Sequence, residues 1–161
     1  MFVNARALIE RTGNQGIELL IQTRNKPEEE KTCLELPGGR VEEFEPLLDA
    51  LRREVHEETG LVLTEIEGQE TKIDTRAKDS NVECLQPFAV YQTTSGPVDS
   101  MGVYFRCKAQ GELLEIGDGT KDIRWVTVES LKDWMAKDAA RFSWVDRAGL
   151  TFYFKARNLK T

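Results

Sequence analysis

Residues Gly39 to Leu61 read GRVEEFEPLLDALRREVHEETGL, and the rest of the chain is best understood outward from them. Glu45 followed by Pro46 suits a helix start, because proline is tolerated in the first turn, where its missing N–H has no partner to lose. Leu47, Leu48, Leu51 and Val55 then recur at helical spacing and are expected to face a core. Gly60 follows Thr59 where a glycine stop belongs. The spacing predicts a helix from about Pro46 to Thr59, with Gly38 and Gly39 in the loop before it.

The acidic residues of this helix are grouped. At about 100° per residue, Glu57 and Glu58 fall roughly 60° to one side and 40° to the other of Glu54. Like charges four residues apart repel by a few tenths of a kcal/mol on an exposed helix, so stability alone argues against stacking Glu54 over Glu58. A bound cation reverses that cost. Oxygen-only donors favour Mg²⁺, with Mn²⁺ as a substitute, over zinc, which takes Cys and His ligands. The plain alternative is a solvated acidic helix face.

The stretch fits the pattern G-x5-E-x7-R-E-U-x-E-E-x-G-U without exception, U being a bulky aliphatic residue. Seven positions demand one residue type, and chance fills all seven about once in 10^8 windows at roughly 5–10% usage per type. This is the Nudix box, and the chain resembles a Nudix hydrolase. The resemblance implies a loop–helix–loop catalytic motif on an α/β/α sandwich. It also implies water attack on a pyrophosphate bond in a nucleoside diphosphate-linked substrate or a nucleoside triphosphate. By the same resemblance, Glu54, Glu57 and Glu58 are metal ligands, joined by the carbonyl of Gly39. Arg53 is expected to orient the acids through Glu45; the alternative is a surface pair with Glu57. The general base varies in the family between a box glutamate and an acid from a later loop. Here that loop resembles Leu114–Trp125, where Glu115, Asp118 and Asp122 are candidates and Asp118 is favoured among them, with a turn role for Asp118 as an equal alternative. His56 fills a free position of the box, and an exposed helix residue is the expected reading. A non-catalytic Nudix module that binds a nucleotide or a protein partner is the competing function. Such modules commonly lose box acids or the arginine, and this chain keeps them all.

The remainder sets the context. The chain has 161 residues, 40% hydrophobic and 31% charged, which suits a single Nudix domain over residues 1–161. A net charge of −6 argues against a nucleic-acid polymer as partner. No apolar run reaches membrane-spanning length and no signal peptide is evident, so no membrane association is expected. Cys33, Cys84 and Cys107 read as reduced thiols, consistent with a cytoplasmic protein. A homodimer is compatible with the chain.

Strands are predicted near Val3–Ile9, Glu18–Thr23, Gln69–Thr75, Gln86–Thr93, Gly102–Lys108 and Ile123–Val126, with a hairpin turn at Gly13–Gly16. A short strand is expected at Leu36–Gly39, a helix at Glu129–Ala140, and a strand or short helix at Leu150–Phe154. This order predicts an α+β fold, helices packed on a mixed sheet.

Substrate identity lies outside the box. The proline of several ADP-ribose pyrophosphatases is replaced here by Arg76 and Ala77. The tyrosine of several dinucleoside polyphosphate hydrolases is replaced by Lys78 and Asp79, and an NADH-type motif is absent. Arg24 and Arg40 flank the loop before the helix and are candidates for outer phosphates. Phe88, Tyr91, Tyr104, Phe142 and Trp144 are the aromatic stock for stacking a nucleobase, with core packing as the plain alternative. The polar segment Thr94–Ser100 is either a loop that closes over substrate or a hairpin connection.

Overall fold

In the computed structural model, which describes residues 1–158, the fold is built around one long strand, β1 (Phe2–Gly13). From Phe2 to Ile9 it runs parallel to β9 (Ser100–Gln110). Beyond that it turns at Gly13–Gly16 into antiparallel β2 (Gly16–Arg24). β2 also pairs with β3 (Leu34–Glu35) and, along its other edge, with β11 (Thr120–Thr127), and β11 carries β10 (Ile116–Gly117). β4 (Gly38–Arg40) lies on β1, while β5 (Val62–Ile66) and β8 (Ala89–Gln92) pair with β9. Together these form one mixed, curled, nine-stranded sheet. A separate two-stranded ladder joins β6 (Ile73–Asp74) to β7 (Glu83–Cys84).

Alternation along β1 sorts its side chains between two apolar layers. Ala5, Ala7 and Ile9 meet Leu48, Leu51 and Val55 of α1 (Leu47–Thr59). Leu8 meets Leu131 of α2 (Val128–Lys137) and Leu150 and Tyr153 of α3 (Trp144–Asn158). The result is the α/β/α arrangement that the alternating strands and helices predict. Each fully buried leucine contributes about 1.5–3 kcal/mol.

Several boundaries differ from the sequence reading. Gly38 and Gly39 are strand rather than loop residues: they form β4, and Leu36 and Pro37 separate them from β3. Pro46 is the N-cap of α1, and Gly60, with φ 81°, ends it in the left-handed conformation. The strand expected at Gln69–Thr75 shrinks to Ile73–Asp74 behind a single 3₁₀ turn, because this charged segment has no apolar face to bury. The strand expected from Gln86 begins at Ala89, after Pro87, which has no N–H to give a ladder. Leu150–Phe154 lies inside the helix α3. β5 was not anticipated, although Leu61, Leu63 and Ile66 after the helix stop carry its apolar signal. Among the described residues, no helix is long and apolar enough to cross a membrane.

Candidate active site

The β4–α1 corner is assembled by close approach of backbone to carboxylate. Gly38 has φ 141°, and a Cβ there would collide with the Ala5 carbonyl of β1. A Cβ on Gly39 would overlap the Glu54 carboxylate. Only two adjacent glycines let β4 lie between β1 and the acidic face of α1.

Arg53 organises that face. Its Nε and Nη2 donate to Glu45 Oε1 and Oε2 at 2.8 and 2.9 Å, a two-pronged pair. Nη1 donates to Glu54 Oε1 at 2.9 Å and, more weakly, to Glu57 Oε2 at 3.4 Å. Nη2 also donates to the Arg40 carbonyl at 3.0 Å. Arg53 therefore ties Glu45 to Glu54 and to β4 and is much more than a surface partner of Glu57. Hydrogen bonds from Arg53 hold Glu45 below the usual carboxylate range.

The three box acids sit at graded depth. Glu57 is exposed, Glu54 half-buried and Glu58 buried. Burial raises the Glu54 pKa against the pull of Arg53, and the charges of Glu57 and Asp118 add to the rise. Burial also pushes Glu58 up to about 8, reinforced by Glu35, although its Oε2 accepts from the Gly38 N–H and Gln22 Nε2, both at 2.9 Å. Gln22 Nε2 also reaches Glu35 Oε1 at 3.2 Å, and the buried Gln22 Oε1 has no partner. Among the described residues, no three His, Cys, Asp or Glu side chains stand close enough to form a ready metal cage. Glu57 turns toward Arg53 and Glu58 toward Gly38 and Gln22.

Of the later acids, Asp118 enters the site. Its N–H donates to the Glu57 carbonyl at 3.1 Å and Thr120 Oγ1 donates to the Glu58 carbonyl at 2.9 Å, fastening the β10–β11 hairpin to the last turn of α1. Asp118 lines the pocket with Glu54 and Glu58. Glu115 and Asp122 are exposed and do not line it, and His56 is exposed on α1.

The pocket measures about 880 Å³. Arg24, Lys26, Lys31, Arg40 and Arg147 contribute positive charge to its wall, and Phe2, Tyr91 and Trp144 contribute aromatic surface. Arg24 is engaged by Glu29 at 2.6–3.0 Å and stands 3.5 Å from Glu35. The Arg40 guanidinium lies 3.4 Å over the Phe2 ring, a residue not singled out by sequence. Tyr91 accepts from Asn4 Nδ2 at 3.0 Å, and Trp144 is 45% exposed. Phe88 and Tyr104 instead belong to the core beside α2 and α3, and Phe142, buried in the same core, also reaches the pocket wall. The segment after Thr94 closes as a hairpin connection, with Thr93 Oγ1 accepting the Ser100 N–H at 2.9 Å.

A buried polar group behind the pocket was not read from the sequence. Asp146, the third residue of α3, has no exposed surface. Its carboxylate accepts from Arg6 Nε and Nη2, both at 2.8 Å, from Tyr104 Oη at 2.9 Å and from the Leu36 N–H at 2.9 Å. Arg6 Nη2 donates in turn to the Leu36 carbonyl at 2.8 Å and lies 3.8 Å from Glu35. The available signal was a lone arginine inside the apolar run Ala5–Ile9 of a central strand.

Comparison with known proteins bears on the family and the fold. The family model for the NUDIX domain matches residues 1–145. The nucleoside triphosphatase NudI of Klebsiella pneumoniae (strain 342) is 32% identical over 111 residues, spanning 66% of this chain and 70% of that protein. Among solved structures, the NUDIX domain of Shewanella oneidensis NrtR, complexed with ADP ribose, superposes with a TM-score of 0.68 at 16% identity, covering 100% of this chain and 89% of that one. The ORF135 protein of E. coli superposes with a TM-score of 0.64 at 19% identity, covering 98% and 91%. These two likenesses concern the fold. The family model and the NudI relationship place the chain in the Nudix hydrolase family.

Proposed function

We propose that this Nudix pyrophosphohydrolase cleaves a phosphoanhydride bond of a nucleoside triphosphate, with Mg²⁺ as cofactor and Mn²⁺ as a substitute. A second nucleoside diphosphate-linked substrate is compatible with the same site. The observation that carries the reading is one pocket that joins two undercompensated carboxylates, half-buried Glu54 and buried Glu58, to a cationic wall and exposed aromatic surface. The similarity to a nucleoside triphosphatase supports the choice of substrate.

The residues present fit a hard divalent cation. The donors are carboxylate oxygens of Glu54, Glu57 and Glu58 with the Gly39 carbonyl, and two of the acids have pKa values raised by burial that a cation would relieve. When bound, Mg²⁺ supplies charge neutralisation along the phosphates and acidifies the attacking water. The chain's own groups supply the rest. Arg53 keeps Glu54 aimed into the pocket while Glu45 anchors it from behind. Asp118 accepts the proton of the attacking water. Arg40 holds the outer phosphates, with Lys31 and Arg147 beside it, and Arg24 joins them by leaving Glu29, a partly exposed pair that costs little to open. Trp144 and Tyr91 give the base a face to stack on. A small nucleotide suits a pocket of this size; a nucleic-acid polymer does not suit a chain of net charge −6. In this reading one Nudix domain makes up the chain and works in the cytoplasm.

The test is incubation with Mg²⁺ and a panel of ribo- and deoxyribonucleoside triphosphates, ADP-ribose, NADH, diadenosine tetraphosphate and nucleotide sugars, followed by chromatography of the products. Cleavage of a triphosphate is expected. Nucleotide that binds and survives unchanged would convert the protein to a binding module.

A further inference from the structure

We propose that Arg6 and Asp146 are positioning residues for the metal site: a buried clamp between β1 and α3 that grips Leu36 and so sets the Gly38–Gly39 backbone against Glu58 and Glu54. The inference rests on the reading of these two glutamates as metal ligands.

The geometry is specific. Both backbone polar groups of Leu36 are held by this pair, its N–H by Asp146 Oδ2 and its carbonyl by Arg6 Nη2. Two residues further on, the Gly38 N–H donates to Glu58 and the Gly39 backbone abuts the Glu54 carboxylate. Pro37 is the only residue between the clamp and this contact, and its carbonyl is fastened by the Ala7 N–H at 2.8 Å. A displacement of Leu36 is therefore passed on to Gly38 with little slack. Stability alone gives no reason to bury this pair. Well-packed apolar residues of similar size serve a core as well or better, because both charges must be stripped of water. A pair that fixes the orientation of the loop beside the metal ligands has such a reason, and outer partners of metal sites typically change metal affinity 10–100-fold when lost.

The readout is Mn²⁺ affinity of the substrate-free protein, followed by the electron paramagnetic resonance signal of free Mn²⁺. Arg6→Lys keeps a cation opposite Asp146, yet one ammonium cannot serve both Asp146 oxygens and the Leu36 carbonyl. Its Kd for Mn²⁺ is expected to rise about 10-fold or more. The double variant Arg6→Met/Asp146→Leu removes both charges together, and the same loss is expected. Leu131→Ala in α2 lowers stability away from the clamp and is expected to keep wild-type affinity. Wild-type affinity in folded Arg6→Lys would overturn the inference. A measurement on the unaltered protein stands beside these variants: Mg²⁺ titration must shift the NMR signals of Arg6 Nε–H and the Leu36 amide in step with Gly38. Movement of Gly38 alone would also overturn the clamp. Glu58→Gln separates the two readings. If it binds Mn²⁺ normally, the ligand reading fails; if it loses Mn²⁺ while Arg6→Lys does not, only the clamp fails.

Discussion

Glu58→Gln should make the metal-free protein more stable while destroying its activity. Glu58 is buried, and burial raises its carboxyl from an ordinary 4.5 to about 8. The sign follows from proton binding. Between these two values the folded chain holds a proton that the unfolded chain releases, so wild-type stability falls as pH rises through this window. At pH 7 the unfolded carboxyl is about 2.5 pH units beyond its ordinary value and the folded one is still largely protonated. At about 1.4 kcal/mol per pH unit, ionisation costs folding on the order of 3 kcal/mol. Glutamine retains an oxygen for the Gly38 N–H and Gln22 Nε2 and has no charge to desolvate. The assay is urea denaturation of both proteins in EDTA at pH 5, 7 and 8. The mutant should exceed wild type by a few kcal/mol at pH 8, and the gap should close toward pH 5. Adding Mg²⁺ should reverse the order, since ligand binding stabilises only the protein that binds it. A mutant no more stable than wild type at pH 8, or a gap independent of pH, would refute the account of this buried acid.

Other outcomes follow from the same site. Arg53→Lys cannot reproduce the fork that joins Glu45, Glu54 and the Arg40 carbonyl, so kcat should fall at least tenfold in steady-state assays with substrate, while the melting temperature moves little. Asp118→Asn should lower kcat by roughly 10²–10⁴-fold with little change in KM in steady-state assays; an unchanged kcat assigns the base elsewhere. Metal uptake at pH 7 should release protons as Glu58 ionises, measurable by calorimetry in buffers of different ionisation enthalpy; uptake without release contradicts a protonated Glu58. Trp144→Ala should raise KM for nucleotide while leaving kcat nearly intact, whereas Leu51→Ala in the α1 core should cost about 2–5 kcal/mol in denaturation and leave the active site's chemistry alone.

What the sequence reveals here depends on how local each signal is. The α1 helix was readable nearly to the residue because its apolar spacing, Pro46 and Gly60 are all local features. The Arg53–Glu45 pair and the entry of Asp118 came from family resemblance, and the structure brings these residues together. Gly38 and Gly39 were placed in a loop because glycine reads as a turn; their reason is the pressure of β1 on one side and Glu54 on the other, which spacing does not display. Arg24 was read as a phosphate ligand without sight of Glu29, five residues away, which occupies it. Asp146 lies 140 residues from Arg6 in the chain, and no local pattern connects a helix-end aspartate to an arginine in the first strand. Trp144 could not be separated from Tyr104 by composition: the first ring is partly exposed at the pocket and the second is buried in the core beside α3, a distinction that only packing decides.

The parallel register of β1 with β9 has a consequence for the order of synthesis. Phe2 is made before its neighbour Ser100, which follows nearly a hundred residues later in the chain. Until the ribosome has delivered β9, the β1–β2 hairpin must wait with one long flank unpaired, a flank that another nascent chain can occupy. The slow step of maturation is then the insertion of a late strand beside an early one, and a chaperone that shields that flank would act before any catalytic residue is in place.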